Sequence, residues 1–276
     1  LDWGYYSKPP AIAWQIWLGT HLFGNTELGV RMVSGLFGIG LGLAVYRLAK
    51  LCQLREDVAF WSGLWMAIIP AGWLGSLLAI TDVGLILFWT IGCQEVADAL
   101  QKRRAISCMR LGGAVLVAAL FKWVAFLFWP LLVSFLLIYR KETRFMLGQP
   151  LIGAMLLSLL ALVPSFLWNG THDWATFRHV YAILQGGHGE SKGNFLEFIG
   201  AQVLLVTPLL FVFFWISFSL LKKKQPLACT FLFWVGSSSL LFAIFLAMRQ
   251  KMQGNWAVFA YPPLVVVAVR EIFLRS

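Results

Sequence analysis

A few ionisable side chains stand out from a chain that is otherwise strongly apolar. They lie in widely separated segments of the sequence. They are Lys8, Asp82, Lys122, His172, Asp173, Arg249 and Lys251. A carboxylate can accept a proton or bind a divalent cation such as magnesium or manganese, and lysines and arginines bind phosphate. Charges near a bilayer are costly unless they pair or face a cavity. If these side chains converge, they form a single polar site.

The composition determines the class of fold that must bring them together. Of the 276 residues, 60% are hydrophobic and only 12% are charged, and the mean hydropathy is +0.78. A soluble domain carries about twice that share of charge. These values exclude a soluble enzyme, a disordered chain and a nucleic-acid-binding domain. At about 20 apolar residues per span, they predict an all-α, polytopic bundle of eight to nine membrane segments.

Two regions follow from the distribution of apolar residues. Residues 1–28 form an external loop in which Pro10 to Phe23 has the spacing of an interfacial amphipathic helix, with Trp14 and Trp17 at the interface. Residues 29–276 form the membrane core, interrupted by an external loop at 168–194. The predicted spans cover 32–49, 58–78, 83–100, two short helices within 111–139 that meet near Lys122, 149–167, 195–221, 227–247 and 256–272.

The distribution of basic residues predicts the orientation. With residues 1–28 outside and the spans alternating, seven of the 22 lysines and arginines lie outside and the other 15 lie inside. This bias follows the positive-inside rule and explains most of the net charge of +10. All seven ionisable residues named above then fall on the external side. This supports the hypothesis of a single external polar site.

Several tracts, taken in order, resemble one known family. They are Tyr5–Pro10 (YYSKPP), Ala79–Trp89 (AITDVGLILFW), Leu120–Pro130 (LFKWVAFLFWP), Phe166–His179 (FLWNGTHDWATFRH) and the later GNWAVFAYPP. Together they resemble membrane glycosyltransferases of the GT-C class, in particular the bacterial relatives of dolichyl-phosphate-mannose protein mannosyltransferases. That group includes the transferase that adds aminoarabinose to lipid A.

The resemblance implies a many-helix fold around an external cavity. The donor would be a sugar on a polyprenyl phosphate, and the acceptor would be a lipid, a protein or a glycan. The family's main general base lies upstream of the Tyr-Tyr tract, so we expect it before Leu1 and interpret the chain as an N-terminally truncated fragment. Two residues depart from the family pattern, Ser7 in place of an acidic residue and Thr81 in place of proline.

The resemblance also assigns roles to individual residues. Asp82 matches a second external acidic position and would act in catalysis, by positioning the acceptor or binding a divalent cation (magnesium or manganese). Four basic residues would bind the donor phosphate, namely Lys8, Lys122, Arg249 and Lys251. Three further residues would contact substrate, namely Tyr6, His172 and Asp173.

Each assignment has a purely structural alternative. Asp82 can instead cap the N-terminus of the helix that follows it. Lys8 and Lys122 can extend their ammonium groups to the interface from otherwise apolar surroundings. The remaining charged residues, His172, Asp173, Arg249 and Lys251, can be solvated loop residues.

The sequence therefore predicts an integral-membrane glycosyltransferase in a bacterial inner membrane, with its site facing the periplasm or the exterior. Its partners would be the polyprenyl-phosphate sugar, an unidentified acceptor and membrane lipid, with no nucleic acid. The alternatives are a transporter or flippase of a lipid-linked molecule and a structural assembly subunit. A transporter is expected to carry internal repeats and mid-span charges, whereas the charges here gather at one membrane face.

Overall fold

The computed structural model describes residues 8–184, 193–216 and 225–275, and all regular secondary structure in those ranges is helical. The first seven α-helices are α1 (Ala11–Phe23), α2 (Glu27–Leu51), α3 (Glu56–Ile68), α4 (Pro70–Leu77), α5 (Thr81–Lys102), α6 (Cys108–Phe121) and α7 (Phe128–Ile138). The next seven are α8 (Arg140–Thr143), α9 (Gln149–Ser158), α10 (Val163–Thr171), α11 (Ala175–Leu184), α12 (Phe195–Ile216), α13 (Leu227–Arg249) and α14 (Tyr261–Arg275). Short 3-10 segments connect several of them.

Local sequence explains where several helices begin. The Thr26 hydroxyl accepts a hydrogen bond from the Gly29 amide at 3.1 Å and caps α2, and Ser107 caps α6 in the same way. Such hydroxyl caps satisfy amides that have no partner in the first turn of a helix. Proline lies in the first turn of α4, α9 and α10, where it has no hydrogen bond to lose.

The most buried helix is α5, which lies at the centre of the bundle. In its apolar stretch 83% of the residues are buried, against 28% in the peripheral span Gln149–Thr171. Trp89 in the middle of α5 packs on the rings of Phe128 and Phe259, at centroid distances of 5.0 and 4.8 Å. Apolar outer helices around a packed centre are what a bilayer requires, because lipid solvates the outer surface.

The chain is an integral membrane protein built as a polytopic helical bundle, which confirms the predicted fold class. Among the described residues, five helices are long and apolar enough to cross a membrane, and two bent pairs bring the number to seven. Two shorter apolar helices, Cys108–Phe121 and Phe195–Pro208, also occur. The count of eight to nine membrane segments stays a prediction.

Two helices are interrupted. Between α6 and α7 the helix is interrupted at Lys122, where the sequence predicts that two short helices meet. In α12 the interruption is at Thr207, which has a φ of 70°, immediately before Pro208. A proline inside a helix removes one hydrogen bond and clashes with the preceding turn. The end of the predicted span 195–221 lies outside the described residues.

The segment predicted as the external loop 168–194 is partly helical. α10 continues to Thr171, and α11 occupies Ala175–Leu184. An aromatic cluster holds this segment against the bundle: the Phe177 ring lies 5.2 Å from that of Phe166 and 6.2 Å from that of Trp123. Polarity suggested a loop here, but aromatic residues at helical spacing give α11 an apolar face that packs.

Candidate functional site

A buried carboxylate joins three distant segments at one end of the bundle. Asp82 lies in the first turn of α5 and is 4% exposed. Its Oδ1 atom accepts a hydrogen bond from Lys122 Nζ at 2.9 Å, and its Oδ2 atom accepts one from Asn255 Nδ2 at 2.8 Å. No side chain caps the N-terminus of α5. The Asp82 carboxylate therefore pairs across helices instead of capping its own.

The break after α6 places Lys122 against Asp82. Lys122 has an extended backbone, with φ −160° and ψ 125°, and the 3-10 segment Trp123–Leu127 follows it. Its amide donates to the Ala118 carbonyl, and its own carbonyl accepts from the Ala125 amide, each at 3.0 Å. The Lys122 side chain is only 16% exposed. Lys122 thus ends a helix and also contributes its ammonium group to a buried polar cluster.

Asn255 is held in place from α12. The Asn194 side chain donates to the Met252 carbonyl at 2.9 Å and accepts from the Met252 amide at 2.8 Å. Gln202 Nε2 donates to the Gly254 carbonyl at 3.0 Å. These bonds fix the segment that immediately precedes Asn255. The sequence did not single out the Asn255 side chain, because a neutral amide carries no charge to mark it.

Lys8 lies near this cluster, just before α1. Its pKa is lowered, first by partial burial and then by the neighbouring Lys122 charge, while the Asp82 carboxylate acts in the opposite direction. Lys8 therefore lies close enough to Lys122 and Asp82 for both of their charges to act on it. With two ammonium groups and one carboxylate, these three residues carry a net positive charge.

A cavity of about 300 Å³ adjoins the two lysines. Apart from Lys8 and Lys122 its lining is mostly apolar, contributed by Val124, Phe242, Ala243, Leu246, Met252, Trp256 and Phe259. Apolar walls with a few convergent polar groups are typical of small-molecule sites. This cavity can accept a ligand that combines an anionic group with an apolar chain.

The other predicted site residues lie apart from this cavity. The Arg249 guanidinium lies over the Phe245 ring, 5.1 Å from its centroid, and neither Arg249 nor Lys251 lines the cavity. The His172 ring stacks on Trp168 at 4.1 Å. Asp173 is exposed and has a φ of 51°.

Tyr6 falls among residues 1–7, outside the described residues. The role of every residue in the site, Asp82 included, stays a prediction.

The described residues around Asp82 do not fit a divalent cation. Both carboxylate oxygens are engaged, one by an ammonium group and one by an amide donor. Within the described ranges, no group of three His, Cys, Asp or Glu side chains is placed to hold a metal. A cation at Asp82 would have to displace Lys122, so no step is assigned to one.

Solved structures share this helical architecture. ArnT from Cupriavidus metallidurans in its apo state matches with a TM-score of 0.71 and 18% identity, over 98% of this chain and 50% of ArnT. An oligosaccharyltransferase from Archaeoglobus fulgidus matches with a TM-score of 0.61 and 12% identity, over 98% of this chain and 42% of that protein. The fold is therefore that of these membrane glycosyltransferases.

The sequence shows the family. The lipid A galacturonosyltransferase RgtD of Rhizobium johnstonii is 29% identical over 279 residues, covering 100% of this chain and 58% of RgtD. Residues 7–168, more than half of the chain, match the dolichyl-phosphate-mannose-protein mannosyltransferase family. The chain belongs to this family, which confirms the resemblance noted from its motifs. It spans about half the length of the relatives it matches.

Proposed function

We propose that this chain is the membrane core of a glycosyltransferase that uses a polyprenyl-phosphate sugar. The observation that carries the proposal is the apolar cavity with Lys8 and Lys122 at its wall and the Asp82 carboxylate behind them. The isoprenoid chain would lie against the apolar walls, and the phosphate would meet the ammonium groups. ArnT has also been solved bound to undecaprenyl phosphate, and that supports the same class of donor here.

The chemistry follows from the charges. The acceptor oxygen attacks the anomeric carbon of the sugar, and the bond from that carbon to the phosphate oxygen breaks. The electron pair leaves with the lipid phosphate, and a base takes the acceptor proton. Lys8 and Lys122 would stabilise the charge that develops on the departing phosphate. The Lys122 ammonium group is held by Asp82 and is only 16% exposed, and a charge held at a poorly solvated position is more effective than the same charge in water.

Asp82 would act mainly through its neighbours. While it accepts hydrogen bonds from Lys122 and Asn255, its carboxylate fixes the position of the ammonium group. We infer that Asp82 is a positioning residue for the phosphate-binding lysine and that another group accepts the acceptor proton. Holding a catalytic group in a productive geometry lowers the barrier through entropy.

We also propose that the Asp82 end faces the periplasm or the exterior of a bacterial inner membrane. At the opposite end the described residues include Arg47, Lys102, Arg104 and Arg110, and basic residues favour the cytoplasmic side. The test is labelling of Asn25→Cys in intact cells with a membrane-impermeant maleimide, with Arg140→Cys as the control at the other end. Protection of Asn25→Cys and labelling of Arg140→Cys would reverse the orientation.

The activity test measures transfer of labelled sugar in membranes that contain the full-length protein. Polyprenyl-phosphate galacturonate and lipid A are tried first, because RgtD is a lipid A galacturonosyltransferase; other sugars and protein or glycan acceptors follow. Lys122→Met should lower transfer about a hundredfold or more, and Lys141→Met, the same change at an exposed position with no proposed role, is the matched control. Movement of intact lipid-linked sugar across the membrane without transfer to any acceptor would favour the transporter alternative.

A further inference from the structure

A second cavity lies at the end of the bundle opposite Asp82. It has a volume of about 500 Å³ and lies between α2, α5 and α6. Glu95 follows Asp82 by 13 residues on α5, which is about 20 Å along a helix axis. The two cavities therefore lie near opposite membrane faces, and the proposed transfer reaction does not use this one.

The rim of this cavity is built around two buried carboxylates. Arg104 donates to both oxygens of Glu95, at 2.9 and 3.1 Å, and to Asp98 at 2.5 Å. Lys102 Nζ lies 2.8 Å from Asp98, and Arg110 Nε lies 3.2 Å from Glu95. The side chains of Glu95 and Asp98 are 3% and 8% exposed. Both carboxylates are thus neutralised, and they hold three basic side chains in place.

The rim retains unused positive charge. Lys102, Arg104 and Arg110 outnumber the two carboxylates by one, and Arg47 adds a further cation that makes no ion pair with any described residue. Arg110 pairs through Nε, so its two terminal nitrogens remain for a ligand. Guanidinium groups of this kind bind phosphate through two parallel hydrogen bonds.

The interior of the cavity is apolar and continues along the helices. Leu51, Phe88, Ile91, Ala114 and Val117 line it. From Phe88 to Lys102, α5 rises about 21 Å, which accommodates a headgroup and a good part of an acyl chain. A cationic rim over an apolar wall matches an amphiphile and not a small hydrophilic ion. Basic pockets of this kind between membrane helices bind anionic lipid headgroups.

We propose that this cavity is a binding site for an anionic phospholipid, whose phosphate contacts Arg47 and Arg110 and whose acyl chain lies along Phe88 and Val117. The site is independent of the proposed glycosyl transfer. It would anchor the three helices to the lipid leaflet opposite the Asp82 site.

The test measures lipid retention by the purified full-length protein, using native mass spectrometry. Phosphatidylglycerol is compared with phosphatidylcholine of the same acyl chains. The wild-type protein should prefer phosphatidylglycerol, and Arg47→Gln should reduce that preference about fivefold, as expected for one basic residue at a lipid surface. Arg140→Gln, which removes an exposed charge that does not line the cavity, should leave the preference unchanged.

A second variant fills the cavity without touching its charges. A Cβ atom built at Gly113 meets no other atom within 4 Å, so Gly113→Leu can place its side chain in the open space. It should reduce retention of both lipids while leaving the thermal unfolding temperature unchanged or slightly higher, because leucine favours a helix more than glycine does. An unchanged preference for phosphatidylglycerol in Arg47→Gln, together with unchanged retention of both lipids by Gly113→Leu, would overturn the proposal.

A competition measurement distinguishes a bound phospholipid from a bound soluble phosphate. Inorganic phosphate at millimolar concentration should not displace phosphatidylglycerol, because it gains nothing from the apolar wall. Displacement by inorganic phosphate, with labelled phosphate still bound by Gly113→Leu, would assign the rim to a soluble anion and overturn the lipid site.

Discussion

The Nζ atom of Lys122 lies 2.9 Å from Oδ1 of Asp82, and this contact joins the end of α6 to the start of α5. The two residues are 40 positions apart in the sequence. Because both side chains are largely buried, neither charge is well solvated without the other. The same pair that would bind phosphate therefore also contributes to the stability of the bundle.

A double variant at Lys122 and Asp82 should regain thermal stability without regaining sugar transfer. Lys122→Met leaves Asp82 without its cation and should lower the free energy of unfolding by about 3–5 kcal/mol and transfer by about a hundredfold or more. Adding Asp82→Asn removes the uncompensated charge, so the thermal unfolding temperature should recover while transfer stays low. Recovery of transfer in the double variant would show that Lys122 does not serve the phosphate.

Binding of the donor lipid should depend on pH through Lys8. Its pKa is lowered in the free protein, and a bound phosphate would raise it. Affinity for undecaprenyl phosphate is then highest below the free-protein pKa and falls as the pH rises through that value. Titration from neutral pH to about pH 10 should show this fall in the wild-type protein.

The control for the pH experiment is Lys8→Arg, because a guanidinium group stays protonated throughout this range. The pH-dependent loss should become much smaller in this variant. An identical fall in Lys8→Arg would assign the titration to a different group.

A negative charge at Asn255 should weaken phosphate binding. Asn255→Asp places a second carboxylate beside Asp82 and removes the net positive charge of the cluster. We expect affinity for undecaprenyl phosphate to fall about tenfold or more, as expected for an added charge in a poorly solvated site. Asn25→Asp, the same change at an exposed position, is the matched control and should bind like the wild-type protein.

The packing behind Lys122 leaves no room for a side chain at position 84, which is a glycine. A Cβ atom there would lie 2.6 Å from atoms of the Phe121 ring, and Phe121 immediately precedes Lys122. Gly84→Ala should lower the free energy of unfolding by about 1–3 kcal/mol through overpacking and should also reduce transfer.

On α2, a Cβ at Gly35 meets nothing within 4 Å. Gly35→Ala is therefore the matched control and should be neutral or slightly stabilising. Equal thermal unfolding temperatures for the two variants would contradict the close contact between Gly84 and Phe121.

Much of the fold and part of the site follow from the sequence. Long apolar runs specify membrane helices, and the charge bias places Lys8, Asp82 and Lys122 on one side, where the structure brings them together. Asn255 could not be recognised in this way. A neutral amide between two apolar runs has no charge to neutralise, so the sequence does not predict a partner for it. Its role depends on contacts with α12 that only the tertiary fold creates.

The opposite end shows a second limit of sequence reasoning. The positive-inside rule counts Arg104 and Arg110 only as charges that favour one side of the membrane and does not consider what they contact. The structure shows that Glu95 and Asp98 bind them. Those carboxylates lie within an amphipathic stretch of α5. How deeply their side chains are buried depends on how α2 and α6 pack over that helix.

We expect the interruption at Lys122 also to change the shape of the membrane around the protein. The 14 residues of α6 make a rod of about 21 Å, well short of a hydrocarbon layer about 30 Å thick. A helix that stops so early, with a charged residue at its end, favours local thinning and a hydrated depression in the lipid surface. A polyprenyl-linked sugar would then meet the lysines below the general level of the headgroups, while its tail remains dissolved in the bilayer.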